Sequence, residues 1–276
     1  MDESQLTFDL FSEPEPDKKR QEETAISKQP GNPAMPIKEI QRAAALWLAH
    51  QNPHGIGSRV PTRISRYKAN LAAFWSIKSG SRLQVGRTMI VECRSCRDEC
   101  MAEVVGNHHL LPELYKLKEE REALQQVIIK NEPELKEKDF LFNEYQSWDF
   151  SKSKNSAYHK CCRRIDKLEK AVYNGSRFEK IRSAYVADFL YLAVPENELQ
   201  PCEVADGWGL LYVKENKTVE RVKTADNWNC PLANHYHLVQ NIAMANTADM
   251  LFKQGIFASQ NKLFFTKVPK RKRKPE

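Results

Sequence analysis

Three polar residues on two consecutive apolar segments carry the chemistry that this sequence suggests. Glu92 and Arg94 are separated by one residue in the segment 87–94, and Asn70 lies in the preceding segment 67–77. Because successive side chains of a strand point to opposite faces, Glu92 and Arg94 should share one face and their apolar neighbours the other. A carboxylate and a cation on one strand face, opposite a polar residue of a neighbouring strand, are the components of a divalent-metal phosphodiesterase site.

Each of these residues also has a purely structural interpretation. A carboxylate in an apolar strand is costly without a partner, so Glu92 could simply form an ion pair with Arg94 or Arg63. Asn70 could satisfy backbone groups at the end of its strand. Arg94 favours a phosphate contact or a salt bridge over proton transfer, because arginine stays charged at all accessible pH values.

The charge balance favours a polyanionic partner. The chain has 276 residues, with 43 Lys and Arg against 36 Asp and Glu, and a net charge of +7. This excess favours nucleic acid. The acidic N-terminus lacks the apolar region of a secretory signal, so the seven cysteines should be reduced thiols in a cytoplasmic protein. No apolar run reaches the roughly 18 residues of a spanning helix, and we expect no membrane partner.

The chain divides into a core that is interrupted by a helical segment. Residues 1–35 are rich in Glu, Pro, Lys and Gln and are predicted to be a disordered leader. The core comprises 36–107 and 175–260, and 261–276 is a basic tail compatible with a non-specific nucleic-acid arm. Between the core parts, leucines recur at helical spacing over 108–174, which predicts an inserted helical hairpin. It could pack on the core, self-associate or clamp bound nucleic acid.

The order of these motifs resembles the MmcB-like DNA-repair family of the restriction-endonuclease-like PD-(D/E)XK nuclease superfamily. The resemblance extends roughly over residues 36–105 and 176–225. The residues that carry it are Asn70, Glu92-Cys93-Arg94-Ser95, Asp98, the segment 187–195 and the segment 207–211. It implies an α/β fold with a mixed central sheet flanked by helices, and a DNA-acting protein of repair or genome defence that hydrolyses phosphodiesters with Mg²⁺ or Mn²⁺.

In the family's pattern, two carboxylates hold the metal and a lysine orients or deprotonates the attacking water. The resemblance places Asn70 at the first acid, Glu92 at the second acid and Arg94 at the lysine. Two of the three positions therefore depart from the pattern, since Asn70 brings no charge and Arg94 can clamp a phosphate without acting as a base. Glu39 and Asp98 could supply further carboxylates to the metal. A weakened nuclease and a pseudo-nuclease that binds without cutting both stay open.

Basic residues precede the first strand of this site. We expect them to contact phosphates along a groove that leads to Glu92, which would position nucleic acid without reading its sequence. An ordinary solvated basic loop is the alternative. These residues are Arg59, Arg63, Arg66 and Lys68.

Two further features suggest other partners. The leader segment Gln5–Phe11 resembles, with extra residues, the short peptides that dock on replication sliding clamps. A protein–protein adaptor that uses this segment or the helical hairpin is therefore a third possible function. Cys93, Cys96 and Cys100 have a spacing that permits zinc, but no second pair follows at a zinc-ribbon distance, which favours core thiols.

Overall fold

A six-stranded mixed β-sheet forms the centre of the fold, and a separate two-stranded sheet lies near the C-terminus. The computed structural model describes residues 35–64, 67–101, 108–136, 148–174, 176–259 and 262–266. The strands of the large sheet lie side by side in chain order: β1 (Gly55–Pro61), β2 (Lys68–Ser79), β3 (Arg82–Cys93), β4 (Phe189–Pro195), β5 (Trp208–Val213) and β6 (Val219–Lys223). The small sheet pairs β7 (Ile256–Ser259) with β8 (Lys262–Phe265).

Strand direction changes across the large sheet. The first three strands form an antiparallel meander, β3, β4 and β5 run parallel, and β6 returns antiparallel to β5. Parallel neighbours need a crossover, and the connection between β3 and β4 contains most of the helices. The α-helices of the described residues are α1 (Ile37–His50), α2 (Arg97–Met101), α3 (Leu111–Asn131), α4 (Ser156–Tyr173), α5 (Arg177–Ser183) and α6 (Leu232–Lys253). This architecture confirms the expected α/β class.

Helix α1 covers one face of the sheet. It starts after Pro36, whose fixed φ suits a helix start, and ends before Asn52, which has a left-handed φ of 49° and precedes Pro53. Its apolar stripe packs against the sheet residues Val91 and Cys93. The buried residues of this stripe are Ile40, Ala43, Ala44 and Leu48.

Helices α3, α4 and α6 cover the opposite face. Leu114 of α3, Ile165 of α4 and Leu238 of α6 belong to one buried cluster with Ile90 and other residues of the sheet. Asn155 caps the start of α4 by accepting the Tyr158 amide. The described helices of the segment 108–174 therefore use their apolar residues within the core of this chain. None of the helices in the described ranges is long and apolar enough to cross a bilayer.

The alternation predicted for β3 is confirmed by its packing. Val91 and Cys93 lie on the face covered by α1, whereas Ile90 lies on the face covered by α3 and α4. Glu92, two residues after Ile90, points to the same side as Ile90. Leu71 of β2 pairs with Val91, so Asn70 and Glu92 stand at the same level of the sheet.

Some elements were not expected from the sequence. Residues around Asn52–Gly57 suggest only a helix break, yet β1 begins at Gly55; α5, β7 and β8 were also not predicted. Several predicted features lie outside the described residues, so the structure says nothing about them. They are the leader with Gln5–Phe11, Arg66 and the basic run of the tail.

Candidate functional site

The carboxylate of Glu92 is buried at the end of β3 and is surrounded by donors. The residue is 1% exposed. Its Oε1 accepts the Tyr67 hydroxyl at 2.6 Å and the Asn70 backbone N–H at 3.2 Å. Its Oε2 lies 2.9 Å from a terminal nitrogen of Arg177 and 3.4 Å from one of Arg94. An ionised carboxylate has about four acceptor positions, so these four donors occupy all of them. We call these five residues the Glu92 cluster.

Residues from three separate elements meet in the Glu92 cluster. Glu92 is held in the sheet opposite Leu192 of β4, and the following Arg94 amide donates to the Ala193 carbonyl at 3.0 Å. Arg177 is the first residue of α5, which begins there because the Ser176 side chain accepts the Glu179 amide and caps the helix. The cluster therefore ties the crossover connection to the sheet.

Tyr67 supports this arrangement as a donor. Its ring lies under the Arg177 guanidinium, with 4.3 Å between the guanidinium carbon and the ring centre. Burial raises the pKa of the Tyr67 hydroxyl well above its usual value, and the adjacent negative charge of Glu92 raises it further. The hydroxyl therefore stays protonated and donates a hydrogen bond to the carboxylate. It does not act as a base.

Asn70 uses its side-chain oxygen within the sheet. Its Oδ1 accepts the backbone N–H of Cys93 at 2.9 Å. This is the role expected for an asparagine that satisfies backbone groups at a strand end. Asn70, Glu92 and Arg94 are therefore brought together, as the sequence predicted, but the oxygens of Asn70 and Glu92 already have protein donors.

The two additional acids proposed as metal ligands lie apart from Glu92. Glu39 is on α1, which packs on the opposite face of the sheet, and its carboxylate lies 3.3 Å from the Lys217 ammonium group. Asp98 is exposed on α2. Neither acid is among the residues that contact the Glu92 carboxylate in the described part of the chain.

The basic residues before β2 are placed at the surface. Lys68 and Arg59 are exposed, and Arg59 has a left-handed φ of 53°. Arg63 is also exposed, and its guanidinium donates to the side-chain oxygen of Asn234 at the start of α6. Lys68 lies beside the Glu92 cluster, because its carbonyl oxygen is 3.5 Å from Arg177.

The side chains of the Glu92 cluster do not form a suitable site for Mg²⁺. This hard ion takes oxygen ligands and usually keeps several waters, whereas the oxygens of Glu92 face two guanidinium groups. A dication placed beside these groups would meet uncompensated positive charge. Within the described residues, no group of three or more His, Cys, Asp or Glu side chains is arranged to hold a metal. Cys93 and Cys100 are buried thiols, and burial raises the pKa of each to about 12.

A second buried carboxylate, Asp188, is also saturated with donors. Its Oδ2 accepts the amide and hydroxyl of Thr88, at 2.8 and 3.0 Å. Its Oδ1 accepts the Cys230 amide at 2.9 Å and lies 2.8 Å from His235 Nε2. Asp188 belongs to the segments that carry the family resemblance, yet here it joins β3, β4 and α6 as a structural anchor.

A third polar cluster joins α3 and α4 to the segment before β5. Lys118 of α3 is 1% exposed, and its Nζ lies 2.7 Å from Glu169 of α4 and 3.4 Å from Asp206 before β5. It also donates to the Val204 carbonyl at 2.8 Å. Arg121 pairs with Asp206 through two nitrogens. The sequence does not predict these contacts, because a lysine among other charged residues of a helix is usually exposed to solvent.

No protein-family model matches the sequence, and no curated protein matches it. Among solved structures, the chain is similar to a protein of unknown function from Silicibacter pomeroyi, with a TM-score of 0.39 and 13% sequence identity. The match covers 80% of this chain and 92% of the other. Similarity at this level carries no argument about fold family or activity.

Proposed function

We propose that this protein binds nucleic acid through the Glu92 cluster without hydrolysing it, on a core related to the restriction-endonuclease-like nucleases. The observation that carries the proposal is the saturation of the Glu92 carboxylate by four protein donors. In this proposal, the acid that would hold a metal in a nuclease instead orients two arginines. The strand order around β3 and the position of the acid near its end are compatible with that ancestry.

The charge of the cluster supports phosphate binding. One carboxylate faces two guanidinium groups, so the cluster keeps an excess of positive charge. The Arg177 side chain is 32% exposed and reaches the surface beside Lys68. Arginine suits this role because its planar group matches a phosphate and stays charged. The net charge of +7 favours the same class of partner.

The burial of Glu92 explains why such a cluster would be pre-organised. An arginine on the surface has many rotamers, and fixing one of them for a ligand costs free energy. Here the ion pair with Glu92 and the stacking on Tyr67 hold the Arg177 side chain in place before any ligand binds. A phosphate would therefore meet a guanidinium that is already oriented.

Binding of labelled DNA at several salt concentrations tests the proposal. The wild-type protein should bind with an affinity that falls as salt rises, because phosphate contacts release counterions. Arg177→Gln should weaken binding and lower the salt dependence by about one counterion. Arg164→Gln is the matched control, since this exposed arginine of α4 pairs with Glu113 at the surface. Absence of salt-dependent binding, or equal effects of both variants, would contradict the proposal.

A further inference from the structure

An exposed tyrosine and an exposed arginine are held together by one asparagine beside the Glu92 cluster. The Arg63 guanidinium donates to Oδ1 of Asn234. The Nδ2 of the same Asn234 donates to the Tyr185 carbonyl at 2.8 Å. A guanidinium and an aromatic residue from distant parts of the chain thus share one bridging residue.

Tyr185 has an unusual backbone for an exposed aromatic residue. Its φ is 48°, in the left-handed region that bulky residues rarely adopt. Its N–H donates to the Arg182 carbonyl at 3.1 Å, and its carbonyl accepts from Asn234. The residue is 46% exposed. The left-handed residue follows the C-cap of α5, Ala184, and its φ ends the helix there.

The chain connects this pair to the Glu92 cluster on both sides. Arg63 and Tyr67 belong to the same turn, in which the Thr62 amide donates to the Tyr67 carbonyl at 3.2 Å. On the other side, α5 starts at Arg177 and ends two residues before Tyr185. At 1.5 Å per helical residue, the seven residues of this helix span about 10 Å. Two guanidinium groups, those of Arg177 and Arg63, and the exposed Tyr185 therefore lie in segments that are connected to the Glu92 cluster.

From this combination of arginines with an exposed aromatic residue we infer that the surface binds single-stranded nucleic acid, with Tyr185 as the platform on which a base stacks. The inference rests on the proposed function and specifies its ligand. A groove that combines cations for the backbone with exposed aromatic faces for the bases is the means by which proteins bind single strands. In a duplex, the base faces are stacked on one another and do not reach such a ring.

The test compares three labelled probes on the full-length wild-type protein. They are an oligothymidylate of about 20 nucleotides, longer than common site sizes, a duplex of equal length, and an abasic oligomer with the same number of phosphates. The oligothymidylate should bind roughly tenfold or more tightly than the other two at equal salt. Equal binding of all three probes would overturn the inference. This comparison needs no variant, so it tests the preference for single strands even if a variant fails to fold.

Variants then assign the effect to the ring. Tyr185→Ala should weaken oligothymidylate binding by roughly fivefold to a hundredfold, with an unchanged salt dependence, because stacking releases no counterions. Tyr185→Phe keeps the ring and should bind like the wild type. Phe252→Ala is the control, because Phe252 is a 56% exposed aromatic residue near the end of α6.

Two failures are distinguishable. Salt-dependent binding that is unaffected by Tyr185→Ala would overturn the role of the ring and leave the proposed function standing. Absence of salt-dependent binding to every probe would overturn the proposed function and this inference with it. A loss of salt dependence in Tyr185→Ala would also contradict stacking, because it would indicate that the substitution disturbs the neighbouring arginines.

Discussion

Arg177 lies over the face of the Tyr67 ring, with 4.3 Å between its guanidinium carbon and the ring centre. The same arginine is 2.9 Å from the Glu92 carboxylate, and Tyr67 donates to that carboxylate as well. Each of the three side chains therefore contacts the other two. Substitution of any one of them should disturb both remaining side chains. Such substitutions should therefore change the free energy of unfolding and the affinity for DNA.

Glu92→Gln should lower the free energy of unfolding by about 2–4 kcal/mol, because it leaves two neighbouring guanidinium groups without their buried counter-charge. Urea unfolding at neutral pH measures this loss. Glu39→Gln is the control, since the surface pair of Glu39 with Lys217 is worth less than about 1 kcal/mol. An unchanged or increased stability of Glu92→Gln would mean that Glu92 is not held by these pairs.

Arg177→Lys should bind DNA more weakly than the wild type although the charge is kept. A lysine ammonium is a compact charge that neither stacks on Tyr67 as a planar group nor offers a bidentate face to a phosphate. Binding measured at a fixed salt concentration should therefore order the proteins as wild type, Arg177→Lys and Arg177→Gln. Equal affinity of the wild type and Arg177→Lys would contradict a role for guanidinium geometry.

Asn70→Ala should lower the free energy of unfolding by about 1–3 kcal/mol, because it leaves the Cys93 amide without its acceptor. Asn70→Ser keeps a side-chain oxygen at this position without adding a charge beside Glu92, and it should lose less. Unfolding of both variants by urea gives the comparison. A larger loss for Asn70→Ser than for Asn70→Ala would contradict the hydrogen bond as the reason for the effect.

Acid should weaken the link between α3 and the segment before β5. Burial alone would raise the pKa of Asp206, but the hydrogen bonds from Arg121 and the charge of Lys118 outweigh it and lower the pKa from 3.8 to about 2. Because the folded state holds the charged form more strongly, this contribution is present above about pH 4 and is lost as the pH falls through 2. It corresponds to about 2 kcal/mol.

The stability of Asp206→Asn, measured by urea unfolding between about pH 2 and 6, checks this expectation. The variant should be less stable than the wild type at pH 6, and the difference should shrink towards pH 2. A difference that stays constant over this range would mean that the charge of Asp206 is not the stabilising property.

The part of the site that lies on the sheet could be predicted from the sequence. The alternation of β3 placed Glu92 and Arg94 on one face, and the order of the two segments placed Asn70 opposite Glu92. The long connection between β3 and β4 could also be recognised as helical, because leucines recur in it at helical spacing.

The partners that decide the role of Glu92 could not be predicted. Arg177 is 85 positions from Glu92 along the chain and lies on a seven-residue helix that has too few turns to show a periodic pattern. Tyr67 stands in the sequence only as the first residue of an apolar segment. Sequence periodicity indicates which face of an element is apolar. The hydrogen-bond donors that surround a carboxylate depend instead on contacts between elements that are distant in the chain.

Cleavage of DNA in the presence of Mg²⁺ or Mn²⁺ tests the central claim most directly. The wild-type protein should bind single-stranded, duplex and branched substrates to different extents but leave all of them intact with either metal, because the Glu92 oxygens are already occupied by protein donors. Metal-dependent cleavage by the wild type that disappears in folded Glu92→Gln would contradict this account and would make Glu92 a metal ligand.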